Sequence, residues 1–221
     1  MSTDRPRRAP SSDRLFIVGM VGRAGSGKST AAHAIAADGG ELIEADRIGH
    51  EVTDRDSDVR AALIAEYGPD VYRADGSLDR PRVAHHVFRD PEARGRLDRL
   101  VHPRILERVQ DRLSELRRAG RQGVVVVDAA LLLDWGLERS CDVVVAVVAP
   151  EEEQIARLAR ARGWSAEEAR ARLAVQRTNE SYAAAADLVL DNRGSVAELE
   201  QTAREAVTRL ARARERRRHE C

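Results

Sequence analysis

The chain has 221 residues, of which 43% are hydrophobic, 33% charged and 3% aromatic, and its 37 Lys and Arg balance its 37 Asp and Glu. This length allows one α/β domain with insertions, no apolar run approaches the ~20 residues of a membrane helix, and zero net charge gives no overall field favouring nucleic acid. Cys141 and Cys221 show neither disulfide nor metal-ligand spacing, so we expect a cytoplasmic protein that binds neither membrane nor nucleic acid.

Residues 1–14 are rich in Arg, Pro and Ser and contain no apolar stretch of the kind that a secretory signal requires. We interpret them as a disordered leader, with a transit peptide as the weaker alternative. Residues 15–221 are predicted to form a single domain.

The first element of this domain is an apolar run at residues 15–21, which contains β-branched residues and is typical of a buried parallel strand. It leads into Gly-Arg-Ala-Gly-Ser-Gly-Lys-Ser at residues 22–29, which has the spacing of a P-loop. A helix at residues 28–37 and a second short strand at residues 41–44 follow. This order predicts a βαβ unit with a nucleotide at its loop.

The residue types in the loop suit a triphosphate. Its glycines let successive amides point at one spot, and the following helix adds its positive end. Lys28 is the only lysine among the 37 basic residues, and a compact ammonium follows β- and γ-phosphate oxygens better than a wide guanidinium does. A chance match or an inactive loop is the alternative. The predicted cofactors are ATP and Mg²⁺, and the predicted nucleotide-binding residues are Gly22, Gly25, Ser26, Gly27, Lys28, Ser29 and Thr30, with the Ser29 hydroxyl as a Mg²⁺ ligand.

Helices are predicted to dominate residues 46–120. The pattern indicates a helix at residues 58–67, a turn at Asp75-Gly76, and a helix that begins at Pro91 with Asp90 as its cap. Nearly continuous valine runs then predict buried strands at residues 124–128 and 142–148, and residues 186–190 are the predicted fifth strand.

Two charged helices are predicted between the last two strands, at residues 151–162 and 166–177, with Ser165 and Glu168 spaced as a capping box. We interpret residues 151–177 as a lid. A long helix at residues 196–220 ends in an arginine-rich run, which suits a solvated helix end better than a nucleic-acid site.

Two carboxylates are predicted at strand ends, where α/β folds place their ligands. Asp46 follows the second strand and is a candidate general base for an acceptor hydroxyl, the alternative being a cap for a helix that begins at Arg47. Asp128 ends the all-valine strand as a Walker B carboxylate does and is a candidate Mg²⁺ ligand, the alternative being a structural strand end.

The lid helix carries Arg157, Arg160 and Arg162, and closure would bring one or two of them onto the transferring phosphoryl group. We take Arg157 and Arg162 as the catalytic candidates, although an arginine in so arginine-rich a chain is more often solvent-facing. His50 and His102 are interpreted as packing or capping residues, since no metal-ligand spacing surrounds them.

Residues 16–199 resemble the dephospho-coenzyme A kinase family throughout their length. The motifs that carry the resemblance are at residues 25–30, 44–50, 75–80, 87–88, 100–103, 154–157, 176, 186–187 and 192–195. The resemblance implies transfer of the ATP γ-phosphoryl group to the ribose 3′-hydroxyl of dephospho-coenzyme A, with Asp46 in the place of the catalytic aspartate and Asn192 at the nucleotide.

The same resemblance implies a P-loop NTPase fold of class α/β. Its five-stranded parallel sheet is flanked by helices, with a helical acceptor-binding subdomain at about residues 46–120 and a helical lid at about residues 151–177. The expected partners are dephospho-coenzyme A and ATP, and the expected state is a monomer or a weak homo-oligomer.

Two rival functions remain open. A P-loop kinase of a nucleoside, sugar or shikimate-like alcohol shares the loop and the carboxylate, but leaves the motifs at residues 75–87 and 100–103 unexplained. A catalytically silent nucleotide-binding paralogue is suggested by departures from the family pattern at Ala130, Ala161 and Tyr182.

Overall fold

The structure, a computed structural model, describes residues 15–219 apart from the side chains at positions 88, 89, 91 and 217–219. The predicted leader at residues 1–14 and Cys221 lie outside the described residues. The side chains at positions 217–219 of the arginine-rich end are not described either. The same holds for the Phe88 side chain, which belongs to one motif of the resemblance.

A parallel β-sheet forms the centre of the fold, with strand order β2-β3-β1-β4-β5. The strands are β1 (Leu15–Val21), β2 (Glu41–Glu44), β3 (Gly123–Asp128), β4 (Val143–Val148) and β5 (Leu188–Asp191). β1 pairs in parallel with both β3 and β4, and β4 with β5. The predicted five-stranded parallel sheet is confirmed, and β1 lies at its centre.

Helices connect the strands. In chain order they are α1 (Lys28–Ala36), α2 (Ala45–Arg55), α3 (Ser57–Tyr67), α4 (Arg80–Arg89), α5 (Pro91–Arg118), α6 (Glu151–Arg162), α7 (Ala166–Ala174), α8 (Asn179–Ala185) and α9 (Val196–His219). The predicted start at Pro91 and the capping box of Ser165 with Glu168 are confirmed. No helix among residues 15–219 is both long and apolar enough to cross a membrane.

The main core covers one face of the sheet. Because side chains alternate along a strand, Phe16, Val18 and Met20 of β1 point to the same face. They pack with the small residues Ala31 and Ala32 of α1 and with apolar residues of α9. Their burial holds β1 in place and so positions the start of the glycine-rich loop, which follows it.

The chain divides into two compact units. One contains the residues up to Ile43 together with those from Arg117 onward, and the other is the helical unit Glu44–Leu116. The sequence predicted a helical insertion over about residues 46–120, and the helical unit of the structure spans Glu44–Leu116. Its acceptor-binding role stays a prediction.

Within the helical unit, the motif at residues 75–80 fastens the end of α2. The Arg80 guanidinium donates to the carbonyl oxygen of His50 at 3.2 Å and to Asp54 Oδ1 at 3.0 Å. The Leu78 amide also donates to Asp54 Oδ1, at 2.9 Å. Just before the motif, the Tyr72 hydroxyl donates to the Thr53 carbonyl at 2.8 Å. This motif therefore positions the helix whose first turn carries Asp46.

Three local predictions are wrong. The fifth strand begins at Leu188 instead of residue 186, because Ala186 still closes a helix, α8, that the sequence analysis missed. α7 ends at Ala174 instead of residue 177, because the segment after it bonds to the glycine-rich loop. α2 begins at Ala45, so Asp46 lies inside its first turn and is not a cap for a helix starting at Arg47.

Candidate active site

The P-loop, residues 22–29, runs from the end of β1 into α1. Gly25 and Gly27 have φ values of 75° and 98°, a left-handed conformation that favours glycine. A Cβ at Gly25 would lie 2.7 Å from the backbone oxygen of Gln154 in α6. The loop therefore needs glycine both for its turns and for the close approach of α6.

The inner side of the loop presents amides. Those of Gly25 and Gly27 have no acceptor among the residues that the structure describes. Gly27 is also the N-cap of α1, and first-turn amides of a helix lack intrahelical acceptors. The loop and the positive end of α1 thus form an anion site of the kind that binds phosphate.

The end of the loop meets a buried carboxylate. Asp128, at the end of β3 and only 6% exposed, is level with Met20 of β1. The Lys28 ammonium pairs with Asp128 Oδ1, and the Ser29 hydroxyl donates to Asp128 Oδ2 at 2.8 Å. The structure therefore brings together three residues that the sequence placed in the nucleotide and metal sites, and Thr30 lies beside them in the first turn of α1.

The donor set suits magnesium. Ser29 and Asp128 supply a hydroxyl and a carboxylate, the hard oxygen ligands that Mg²⁺ prefers, and Mg²⁺ usually completes its shell with water and substrate phosphates. Over the described part of the chain, no group of three or more His, Cys, Asp or Glu is placed to hold a metal ion. The residues present thus fit an ion that is shared with a bound nucleotide.

Arg157 and Asn192 support the outer side of the loop. Arg157 Nη1 donates to the carbonyl oxygens of Gly25 at 3.3 Å and Ser26 at 3.4 Å. Its Nη2 donates to Glu153 Oε2 at 2.7 Å and to the Asn192 carbonyl at 2.9 Å. Asn192 Nδ2 donates to the Ser26 carbonyl at 2.7 Å. Because the Ser26 carbonyl faces these side chains, the Gly27 amide, which shares a peptide plane with it, faces the opposite side.

This placement leads to a test of Arg157 by Arg157→Met. If Arg157 holds the loop, the variant should lower ADP affinity by about 10-fold, the value of a hydrogen bond from a charged group. Isothermal titration with ADP measures this directly. If Arg157 instead contacts only the transferring phosphoryl group, as the sequence suggested, ADP affinity would be unchanged and kcat alone would fall.

The other predicted site residues take no part in the contacts given above. Arg160 and Arg162 are exposed near the end of α6. The Arg162 guanidinium has no hydrogen-bond or ion-pair partner among residues 15–219, and that of Arg160 donates only to the Ala156 carbonyl of the same helix. Asp46 is exposed in the first turn of α2, in the helical unit. His102 Nε2 lies 3.4 Å from Asp98 Oδ1 on α5, in keeping with a packing role.

Tyr182, one of the departures from the family pattern, is buried, and burial raises the pKa of its hydroxyl, with Asp134 adding to the rise. The unfolded chain would ionise first, so the contribution of Tyr182 to stability is complete below about pH 10 and is lost as pH rises through the folded pKa. When the pH is raised from about 8 to about 10.5, the free energy of unfolding should therefore fall less for Tyr182→Phe than for the parent. Urea unfolding at both pH values tests this, and parallel losses would contradict it.

Two residues of the site were missed by the sequence analysis. Arg23 is buried inside the loop and bonds both helices of the predicted lid, and Gln176 Oε1 accepts from the Ala24 amide at 2.9 Å. A charged residue within the phosphate-binding loop was the available signal for Arg23. Gln176 was recognised only as a motif of the resemblance, without a role.

Comparison with known proteins identifies the family of the chain. A profile of the dephospho-CoA kinase family matches residues 16–198. Dephospho-CoA kinase of Frankia casuarinae is 41% identical over 186 residues, covering 84% of this chain and 80% of the relative. Dephospho-CoA kinase of Thermobifida fusca is 38% identical over 199 residues, covering 90% of this chain and 98% of the relative.

Solved structures share the fold. A Thermus thermophilus protein has a TM-score of 0.72 at 30% identity, covering 89% of this chain and 98% of that one. Dephospho-CoA kinase from Campylobacter jejuni has a TM-score of 0.69 at 22% identity, covering 90% and 98%. The chain therefore belongs to the dephospho-CoA kinase family, ATP-dependent kinases of coenzyme A biosynthesis.

Proposed function

We propose that this chain transfers the γ-phosphoryl group of ATP to the ribose 3′-hydroxyl of dephospho-coenzyme A, with Mg²⁺. The observation that carries the proposal is the meeting of Lys28 and Ser29, at the end of the phosphate-binding loop, with the buried carboxylate of Asp128. P-loop kinases use such a lysine, hydroxyl and carboxylate to bind the nucleotide and its metal ion. Membership of the family supports dephospho-coenzyme A as the acceptor.

Phosphate binding falls to the loop and Lys28. The loop amides bind phosphate oxygens, and the ammonium stabilises the negative charge that develops as the bond between the γ-phosphorus and the bridging oxygen breaks. Ser29 and Asp128 would hold Mg²⁺, which when bound neutralises phosphate charge. Gly22, Ser26 and Asn192 shape and support the loop.

The acceptor proton is assigned to Asp46. As the 3′-oxygen bonds to the γ-phosphorus and ADP leaves, the hydroxyl proton passes to the Asp46 carboxylate. Support comes from the exposure of this carboxylate in the first turn of α2 and from its match to the family's catalytic position. Arg162 is the proposed contact of the lid with the transferring group, because it is exposed and its guanidinium is uncommitted among the described residues.

We further propose that the protein acts in the cytoplasm as a monomer or weak homo-oligomer, on dephospho-coenzyme A and ATP alone. The two cysteines lack disulfide spacing, which supports the cytoplasm, and zero net charge supports a set of partners without nucleic acid.

The test of this proposal is the Mg²⁺ requirement of the reaction. ADP release is followed with dephospho-coenzyme A while Mg²⁺ is titrated after chelation, for the parent, Asp128→Asn and Asp38→Asn. Asp38 is an exposed carboxylate just after α1 and serves as the matched control. We expect no activity without Mg²⁺. The Mg²⁺ concentration that gives half-maximal activity should rise at least about 10-fold in Asp128→Asn and stay unchanged in Asp38→Asn. Full activity in chelator, or equal requirements for all three proteins, would overturn the metal assignment.

A further inference from the structure

Arg23 is a buried cation within the phosphate-binding loop. It follows Gly22 directly, and only 8% of its surface is exposed. Taking a charged side chain out of water is costly unless it is paired and hydrogen-bonded, so a buried arginine requires partners. Its Nη1 donates to Glu151 Oε2 and its Nη2 to the Leu173 carbonyl, both at 2.8 Å.

These partners stand at the two ends of the helical hairpin formed by α6 and α7. Glu151 is the first residue of α6, and Leu173 is in the last turn of α7. One planar guanidinium therefore bridges the entry and the exit of the hairpin, a geometry that the single ammonium of a lysine would not reproduce.

A second bond joins the loop to the hairpin exit. The amide of Ala24, the residue after Arg23, donates to Gln176 Oε1 at 2.9 Å. Gln176 lies two residues beyond the end of α7. Two consecutive loop residues thus bind the segment at which the hairpin rejoins the rest of its unit.

The hairpin has its own small core. Ile155 and Leu158 of α6 pack with Ala169 and Leu173 of α7, and Ala24 of the loop packs against this cluster. Interdigitated apolar side chains make the two helices move together. A displacement at the loop is therefore passed to the hairpin as a whole, including the exposed Arg162 at the end of α6.

We propose that Arg23 and Gln176 form a joint that makes the position of the α6–α7 hairpin depend on phosphate at the loop, and that Arg23 is thereby a positioning residue for phosphoryl transfer. Phosphate bound to the amides orders the backbone of residues 22–27, and the joint passes this order to both ends of the hairpin. Linkage makes the effect reciprocal, so a hairpin held in place also favours the nucleotide. The inference rests on the proposed function.

Hydrogen exchange with and without ADP, combined with kinetics, tests the joint. The variants are Arg23→Met, which keeps the apolar stem, Gln176→Ala, which removes the acceptor, and Gln176→Glu, which keeps one. Arg170→Met is the matched control, since Arg170 is an exposed arginine of α7. Melting temperatures report any general loss of stability.

In the parent and in Arg170→Met, we expect ADP to slow exchange in α7. In Arg23→Met and Gln176→Ala this protection should be lost and kcat should fall about 10-fold or more, while Gln176→Glu restores both. The inference is overturned if Arg23→Met and Gln176→Ala only lower the melting temperature and keep the ADP-linked protection and kcat. Because exchange is measured with ADP alone, it judges the joint even if the chain fails to phosphorylate dephospho-coenzyme A.

Discussion

Lys28→Ala is expected to lower kcat with MgATP and dephospho-coenzyme A by at least about 10²–10³-fold. Lys28 is the only lysine of the chain, lies at the end of the glycine loop and pairs with Asp128. Without it, no ammonium opposes the charge that develops on the leaving phosphate oxygens. Steady-state kinetics of ADP release measure the effect.

Two further variants sharpen this prediction. Lys28→Arg keeps the charge, yet the wider guanidinium fits the tight loop poorly, so we expect most of the activity to be lost there too. Removing one partner of a buried ion pair also destabilises the fold, so Lys28→Met is compared with Lys28→Met/Asp128→Asn, which removes both charges. A folded Lys28→Ala protein that retains kcat within a few-fold of the parent would contradict the role of Lys28.

Asp46→Asn is expected to cut kcat by about 10²-fold or more while ATP affinity stays nearly unchanged. The substitution keeps the shape of the side chain and removes only its ability to take the acceptor proton. Because Asp46 is exposed in the first turn of α2, the change should leave the melting temperature close to that of the parent. The kinetics and a titration with ATP analogue measure the two expectations.

The matched control for Asp46 is Glu51→Gln, which neutralises an exposed carboxylate on the same helix. It should change neither kcat nor ATP affinity by more than a small factor. Asp46→Asn with parental turnover would exclude Asp46 as the general base. A large fall in ATP affinity instead would assign it to nucleotide binding.

The sheet was predictable because its strands carry a strong local signal. The valine runs of β3 and β4 and the apolar run of β1 are nearly continuous, as burial on both faces requires, and the bounds of β1 and β2 agree with the structure. α8 was not predictable in the same way, since Asn-Glu-Ser-Tyr-Ala-Ala-Ala has no apolar periodicity. Its start is fixed by the Thr178 hydroxyl, which accepts from the Ser181 amide.

The end of α7 shows a different limit. Its local pattern continues to residue 177, but the Leu173 carbonyl accepts from Arg23 and the segment beyond turns so that Gln176 reaches Ala24. These partners are about 150 residues distant in sequence. A local pattern contains no information about such bonds, so it overran the helix by three residues.

The candidate site also contains some residues that a local pattern predicts and others whose contacts are distant in sequence. Strand, glycine loop and helix are contiguous in sequence, so a local pattern was enough to predict a loop that carries Lys28 and Ser29. The rule that ligands bind at strand ends singled out Asp128, which contacts both residues in the structure. The direction of a long side chain depends on tertiary contacts, which a local pattern does not contain. The sequence analysis therefore predicted only that Arg157 contacts the transferring phosphoryl group. In the structure its guanidinium binds the carbonyl oxygens of Gly25, Ser26 and Asn192.

The most direct test of the central claim is a coupled assay of ADP release with MgATP that compares dephospho-coenzyme A with adenosine, shikimate and gluconate, with each product identified by mass. We predict turnover confined to dephospho-coenzyme A and a product that has gained one phosphoryl group. ATP binding without turnover on any acceptor would identify a silent paralogue and contradict the account, and so would preference for another alcohol.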